Sequence, residues 1–262
     1  MNQRSPARVA LVTGASRGIG RSIAEALAAR GLGVAIHCHG NRAGAEATLG
    51  RLAGTGHGVY SADLADPVAT RDLWHQVSRE LGEVDVVVNN AGVFLDHPPL
   101  STDYDDWLRA WQLTLDTNLR GPANLSLLAA QAMSGRTPRP GSHFGRGRIV
   151  NISSRGAFRG EPDAPAYGAS KAGLNAFGQS LAKALAPHQI YVYSIAPGWV
   201  ETDMAAGHVN GPDGAAILAQ HPLGRIAHPQ EIANAVIYCA VDAPAAMTGS
   251  IIDVNGASYL RT

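Results

Sequence analysis

The stretch YGASK, residues 167–171, sets a phenol and an amine four positions apart among small residues. On a helix, positions i and i+4 stand one above the other on the same face, so the Tyr167 hydroxyl and the Lys171 ammonium can address one point in space. A phenol ordinarily titrates near ~10, and a neighbouring ammonium favours its ionised form. The pair is therefore suited to giving a proton to a substrate oxygen or taking one from it. Taken alone, the same spacing also describes an ordinary exposed helix pair, which is the commoner occurrence.

A second candidate is TGASRGIG, which places Gly14, Gly18 and Gly20 between an apolar run, RVALVTG, and a helical pattern, RSIAEALAARG. Glycines let the backbone turn sharply and approach a pyrophosphate, and the helix that follows offers unpaired N–H groups and the positive end of its dipole. The spacing is G-x-x-x-G-x-G and not G-x-G-x-x-G, so its place at the first strand-to-helix turn carries the reading. Sites that select NAD usually put an acid at the end of the second strand, about 20 residues on. Here that place reads IHCHGNRAG, with no acid. His39, Asn41 and Arg42, with Arg17 from the turn, offer donors and positive charge to a 2′-phosphate, which points to NADP(H) over NAD(H). The plainer alternative is that Arg42 is a solvated loop residue.

A scaffold must bring these distant residues together. RVALVTG, GVAIHCH, GHGVYSADLAD, VDVVVNNAG, RIVNISS and IYVYSIAPG read as strands, and RSIAEALAARG, AGAEATLGRLAG and PVATRDLWHQVSRELG as helices, the last opening on proline. Repeated βα units with strands this apolar predict an α/β fold, a parallel sheet covered by helices on both faces. With 262 residues, no repeat and no linker, one domain is expected. Two segments break the rhythm: SGRTPRPGSHFGRG, residues 134–147, reads as a flexible insertion, and residues 203–224, leaving a strand end, read as a substrate lid.

Lys plus Arg equals Asp plus Glu at 21 each, so no general electrostatic pull toward nucleic acid or an anionic membrane is expected. No run approaches the ~20 apolar residues of a membrane span. The N-terminal stretch lacks the pattern of a signal peptide, and a cytoplasmic location is the expectation. Cys38 and Cys239 read as reduced core residues. His37, Cys38 and His39 resemble a metal cluster, but on a strand alternate side chains face opposite ways, and no metal is expected.

TGASRGIG, NNAG at 89–92, TN at 117–118, NISS at 151–154, YGASK, and APGWVETDM at 196–204 together resemble, in order, the motifs of the classical short-chain dehydrogenase/reductases. The resemblance spans nearly the whole chain and implies a single Rossmann-type doubly wound domain. It implies a catalytic tetrad of Asn118, Ser154, Tyr167 and Lys171, with Ser154 chosen over Ser153 by its interval to Tyr167. In that scheme Tyr167 exchanges the proton, Lys171 lowers its pKa and holds the nicotinamide ribose, Ser154 steadies the substrate oxygen, and Asn118 keeps a water in a proton relay. It gives as cofactor contacts Gly14, Ser16, Arg17, Gly18, Ile19 and Gly20 of the turn, and His39, Asn41 and Arg42 after the second strand. Asp63 and Leu64 resemble the adenine contact, Asn90, Ala91 and Gly92 the loop that the cofactor passes, and Pro197, Gly198, Val200 and Thr202 the nicotinamide cradle.

Met204, Val209, Ile217 and Leu218 make the lid an apolar set without fixed charge, which suits an uncharged or acyl-type ketone. Within the family the chain is most similar to the 3-oxoacyl-[acyl-carrier-protein] reductases, which implies an acyl thioester substrate and an acyl carrier protein partner. Two places where those reductases tend to be basic read Phe144-Gly145 and Pro187-His188 here, leaving Arg109, Arg120 and Lys183 as a different patch. The rival readings are a broad ketone or secondary-alcohol dehydrogenase, sugar alcohols included, and a dinucleotide-binding regulator without turnover, against which the intact tetrad argues. The family also implies a homotetramer, with the helices of Asn118 and YGASK pairing across a two-fold axis and the C-terminal GSIIDVNGASYLRT making a second contact. The insertion, with Arg136, Arg139 and Arg146, enters its strand roughly 20 Å from Ser154 and is expected to be dispensable for the chemistry.

Overall fold

The computed structural model describes residues 8–137 and 144–261. Its strands are β1 (Val9–Val12), β2 (Gly33–Cys38), β3 (Gly58–Ser61), β4 (Val84–Asn89), β5 (Gly147–Ile152), β6 (Ile190–Pro197) and β7 (Ile251–Val254). They form one sheet in the order β3-β2-β1-β4-β5-β6-β7, with every neighbouring pair parallel. The helices are α1 (Gly18–Ala29), α2 (Arg42–Leu49), α3 (Pro67–Leu81), α4 (Tyr104–Leu115), α5 (Gly121–Ser134), α6 (Gly156–Arg159), α7 (Pro165–Leu185), α8 (Asp203–Val209), α9 (Gly214–Ala219) and α10 (Pro229–Ile237). This is the helix-covered parallel sheet that the apolar runs predict and the doubly wound Rossmann-type domain that the family resemblance implies.

Side-chain alternation along the strands divides the interior into two cores. Ala10 and Val12 of β1 face Ile23 and Leu27 of α1 and Ile232 and Val236 of α10, whereas Val9 and Leu11 face Leu73 and Trp74 of α3 and Leu125 and Met133 of α5. With both faces covered, a strand has no solvent-facing side, which is why the runs read as near-continuous rather than alternating. The winding reverses between β1 and β4, and the crevice of such a sheet opens at the carboxyl ends of the strands beside that reversal. Gly14, Asn90, Ser154 and Pro197 all lie at or just past those ends.

The final strand, β7, was not legible in the sequence pattern. It pairs with β6 from Ser194↔Ile251 to Pro197↔Val254 and is only half-buried, as suits a sheet edge. Both cysteines are buried free thiols. Among the described residues no helix is long and apolar enough to cross a membrane.

The two ends of the 134–147 segment are tied to the fold, and residues 138–143 between them lie outside the described residues. Ser134 ends α5 and Gly147 opens β5. Arg146 Nη1 donates to Ser134 O at 2.7 Å, and Arg136 lies 3.7 Å from Glu83 and 3.6 Å from Asp85. Phe144 is buried, with the Arg8 guanidinium 3.9 Å and that of Arg148 4.9 Å from its ring centroid. Arg148 in turn is fully buried and donates to the carbonyls of Cys239 and Ala243 at 2.7 and 2.8 Å, fastening the chain after α10 to β5. The aromatic ring anchors the segment because it is the large apolar group within it. Arg139 lies outside the described residues. Phe144→Ala should lower the unfolding free energy by about 3–5 kcal/mol, the usual result of emptying a buried phenylalanine site; denaturant unfolding that showed a loss below about 1 kcal/mol would contradict this anchoring.

Candidate active site

A cavity of about 530 Å³ runs along the strand ends, bordered by Gly14 to Gly20 at one end and by Ser154, Tyr167 and Trp199 at the other. The Gly-rich turn is held from three sides. Thr13 Oγ1 accepts from the backbone N–H groups of Asn90 and Ala91, both at 2.9 Å, while Asn90 Nδ2 donates to Thr13 O at 2.8 Å. Gly14 N–H donates to His37 Nδ1 at 3.2 Å, and His37 Nε2 lies 3.0 Å from Ala62 O. The first bond requires a bare Nδ1, so the proton sits on Nε2 and the ring is neutral. Gly14 has φ +63°, and a Cβ there would come within 2.9 Å of Ala91 Cα; a Cβ on Gly20 would lie 2.3 Å from Gly14 O. Only glycine fits either place. Arg17, at the N-cap of α1, supplies no capping side chain, so the first N–H groups of this helix remain available to an anion.

At the other end, α7 presents Tyr167 and Lys171 on one face. The Ser154 hydroxyl acts to lower the Tyr167 phenol, yet burial outweighs it and pushes the phenol up to about 12. Lys171 Nζ donates to Ile152 O at 2.8 Å and stands 5.6 Å from the Tyr167 ring centroid. Burial pushes this ammonium down to about 8. The expected lowering of the tyrosine by the lysine is thus outweighed, because both groups are drawn out of water and the ammonium is turned toward a strand carbonyl. Ser154 Oγ also accepts from Gly156 N–H at 3.0 Å, whereas Ser153 points away and donates to Lys171 O at 3.4 Å. Of the two serines that follow β5, Ser154 is the one whose hydroxyl acts on Tyr167.

Asn118 sits in a π-helical turn, Asp116–Arg120, between α4 and α5, and is fully buried. Its Oδ1 accepts from Val93 N–H at 2.8 Å and its Nδ2 donates to Val93 O at 2.9 Å. It stands behind the cavity wall, 3.2 Å from where a Cβ on Gly92 would lie, with Lys171 Nζ 3.5 Å from the same point. Gly92 thus leaves room between Asn118, Lys171 and the cavity.

The other expected contacts divide. Ser16, Gly18, Ile19, His39, Asn41, Asp63, Leu64, Ala91, Pro197, Gly198, Val200 and Thr202 all border the cavity. Arg17 does as well, but at the rim, 3.0 Å from Asp203. Arg42 does not: it is ion-paired with Glu46, one turn further along α2, at 2.9 Å, and Asn41 Oδ1 caps the same helix at Gly44 N–H. The substrate end also differs from the apolar lid that the sequence suggested. Of that set Met204 borders the cavity, Val209 and Leu218 line a separate one, and Ile217 is buried. In their place Phe94 packs edge-on against Tyr167 with centroids 4.8 Å apart and Trp199 borders the cavity, with His208 packed against Trp199 at 5.3 Å.

A family model described as enoyl-(acyl carrier protein) reductase matches residues 14–257. The 3-oxoacyl-[acyl-carrier-protein] reductase FabG of Escherichia coli is 39% identical over 253 residues, covering 97% of this chain and 98% of that protein. Among solved structures, one proposed to be an NAD(P) dependent gluconate 5-dehydrogenase from Beutenbergia cavernae, with bound NADP at low occupancy, superposes with a TM-score of 0.84 at 30% identity, over 97% of each chain. Another, proposed to be a short-chain alcohol dehydrogenase from Sinorhizobium meliloti 1021, gives 0.83 at 34% identity, over 97% of this chain and 96% of that one.

The chain belongs to the short-chain dehydrogenase/reductase family. As an oxidoreductase of that family it places its motifs where the strand ends converge, and it adds residues that the motifs did not reveal. His37 is the clearest. In the sequence it stood in an apparent metal cluster, yet it is buried on β2 between two backbone partners while Cys38 faces the opposite core and His39 is exposed. A polar residue inside an otherwise apolar strand was the available signal.

Burial pushes His37 down to about 4 from 6.5, so between those values the unfolded chain binds the extra proton and folding stability falls as the pH falls. Over that window the loss approaches roughly 3 kcal/mol. His37→Gln can keep an acceptor and a donor without titrating. Its unfolding free energy should therefore depend less on pH between 6.5 and 4 than that of the wild type; identical profiles would show that His37 is not the acid-sensitive group.

Proposed function

We propose that this oxidoreductase uses NADPH to reduce the ketone of a 3-oxoacyl compound to a secondary alcohol, through Asn118, Ser154, Tyr167 and Lys171. The observation that carries this reading is the Ser154–Tyr167 hydroxyl pair on the wall of the cavity whose other end is the Gly-rich turn. The residues fit a dinucleotide: the turn approaches too closely for any Cβ, the first N–H groups of α1 are free for phosphate, and Gly92 leaves space beside Lys171. NADPH, when bound, supplies the hydride. Ser154 holds the ketone oxygen, and Tyr167, protonated at neutral pH, delivers a proton as negative charge grows there. Lys171, still mostly charged at neutral pH, stabilises the tyrosinate that results. Asn118 fixes the Val93 backbone beside Lys171. For NADP over NAD the support is the missing acid after β2, Arg17 at the rim, and the solved relative with bound NADP.

The thioester form of the substrate is supported by the identity to the carrier-protein reductase. A second reading, reduction of small free ketones without a carrier, is favoured by the charges on the surface. Of the patch Arg109, Arg120 and Lys183, Arg109 is paired with Asp106 and Arg120 with Asp116, while Lys183 is exposed on α7. NADPH consumption with free ketones, coenzyme A thioesters and carrier-bound acyl chains separates the two. In either case α8 serves as the lid, since Met204 and Ala205 border the cavity. A homotetramer is supported by exposed Leu108 and Leu113 on α4, exposed Leu127 on α5, and the exposed small residues Ala172 and Ala176 on α7.

Tyr167→Phe should lower the rate of ketone reduction by at least about 100-fold, the lower range for a lost proton donor, while NADPH binding stays within a few-fold. Lys171→Ala should weaken both; unchanged NADPH affinity would remove its ribose contact. Because Lys171 is charged below about 8 and neutral above it, kcat/KM for reduction should decline as pH rises through that value. A profile still climbing at pH 9 would contradict the assignment. NADPH should be preferred over NADH, and Arg17→Ala should narrow the preference by about 10-fold, the size of one charge-assisted hydrogen bond. Equal wild-type affinity for both cofactors would overturn that choice.

A further inference from the structure

Arg155 follows Ser154 directly and borders the same cavity, beside Glu161 and Tyr167, yet the reduction as described makes no use of it. It is 2% exposed. Its Nη2 donates to Gln220 Oε1, just past the end of α9, at 3.0 Å, while Nη1 is buried without a hydrogen-bond partner. The charged groups acting on it are Arg159, which repels, and Glu161, which attracts. Glu161 is already engaged by Arg159 at 3.2 Å. Two guanidinium groups therefore share one carboxylate, and the surplus positive charge falls on the more buried of them. Burial pushes Arg155 down to about 10, which leaves it charged at neutral pH. A buried cation with neither its own counter-charge nor a full set of acceptors is unfavourable, and such a group persists where a ligand completes it. On the same side His221 is buried with Nδ1 on Ile217 O at 2.8 Å and Nε2 unpartnered.

We propose that Arg155 is the specificity-determining residue of this cavity, donating from Nη1 to a second oxygen function on the ketone substrate: the carboxylate of a 3-oxo acid or the thioester carbonyl of its acyl form. The uncompensated charge makes the carboxylate the stronger ligand. A ketone with no second oxygen leaves Nη1 unpaired, and a site built around a polar contact discriminates strongly against a substrate that lacks it. The fixed charge absent from the lid is thus supplied by the floor beneath it. This inference rests on the reading of the cavity as a ketone-reducing site and names the substrate feature which that site selects.

The test compares wild type with Arg155→Met and Arg155→Lys on acetoacetate, methyl acetoacetate and butan-2-one, with NADPH. For each ketone the ratio of wild-type to variant kcat/KM cancels intrinsic reactivity. For the Met variant the ratio should be about 100 for the acid, about 10 for the ester, and smallest for butan-2-one. The Lys variant should recover part of the loss on the acid. Equal losses on all three ketones would reduce Arg155 to a prop for Gln220, and a matching loss of NADPH affinity would make it a cofactor contact; either result overturns the proposal. Calorimetric binding of 3-hydroxybutyrate to the wild-type enzyme with NADP needs no turnover. Binding that weakens in the Met variant supports the oxygen contact even if no ketone in the panel is reduced, in which case the reductase reading alone fails. Wild-type binding of 3-hydroxybutyrate no tighter than that of butan-2-ol would defeat the contact even if ketones are reduced.

Discussion

The joint between β1 and β4 is the constraint on which the remaining structure depends. The winding reverses there, so two adjacent parallel strands send their chains to opposite faces and leave a crevice between the departing loops. Such a crevice would collapse or fray unless its backbone groups were satisfied. Thr13 and Asn90 supply that satisfaction across the joint, and His37 does so from β2, binding Gly14 with one ring nitrogen and Ala62 with the other. The three side chains are short or planar, so the Gly-rich turn is held rigidly without being filled.

From that joint the electrostatics of the cavity follow. Its walls are strand ends and small residues, and the groups that face it are drawn out of water. This raises the phenol of Tyr167 and depresses the ammonium of Lys171, so that at neutral pH the first carries its proton and the second is still mostly charged. Opposite shifts in two groups that share one helical face keep a donor loaded next to a cation whose charge is adjustable. The same burial acts on Arg155, whose higher intrinsic basicity preserves its charge. The cavity thus contains cationic groups serving different ends, one beside the tyrosine and one beneath the lid.

Packing around the cavity is asymmetric for a physical reason. The turn end is made of backbone, and backbone N–H groups suit phosphate oxygens of any sequence of contacts. The substrate end is made of side chains: Phe94 and Trp199 border it, backed by His208, and Arg155 and Glu161 border the same cavity. Aromatic surfaces accept varied carbon skeletons, so discrimination falls to the few polar groups among them.

Much of this was determined by the sequence itself. Fully buried parallel strands need continuous apolar runs, a tight phosphate turn needs glycine at φ values forbidden to other residues, and a helical i, i+4 pair needs its spacing; each is a local requirement and leaves a local mark. The interval from Ser154 to Tyr167, set against the family pattern, was enough to prefer Ser154 over Ser153. The edge strand β7 left little mark, because a half-buried edge does not require a continuous apolar run. Tertiary structure alone decided the matters that depend on who meets whom. Arg42 looked like a phosphate ligand until α2 turned it toward Glu46, Phe144 looked like part of a loop until Arg8 and Arg148 closed over it, and the apolar side chains of the lid were divided between two cavities. Arg155 carried no motif at all. Its importance comes from burial without a matching carboxylate, a property that belongs to a place in the fold and not to a residue in a string.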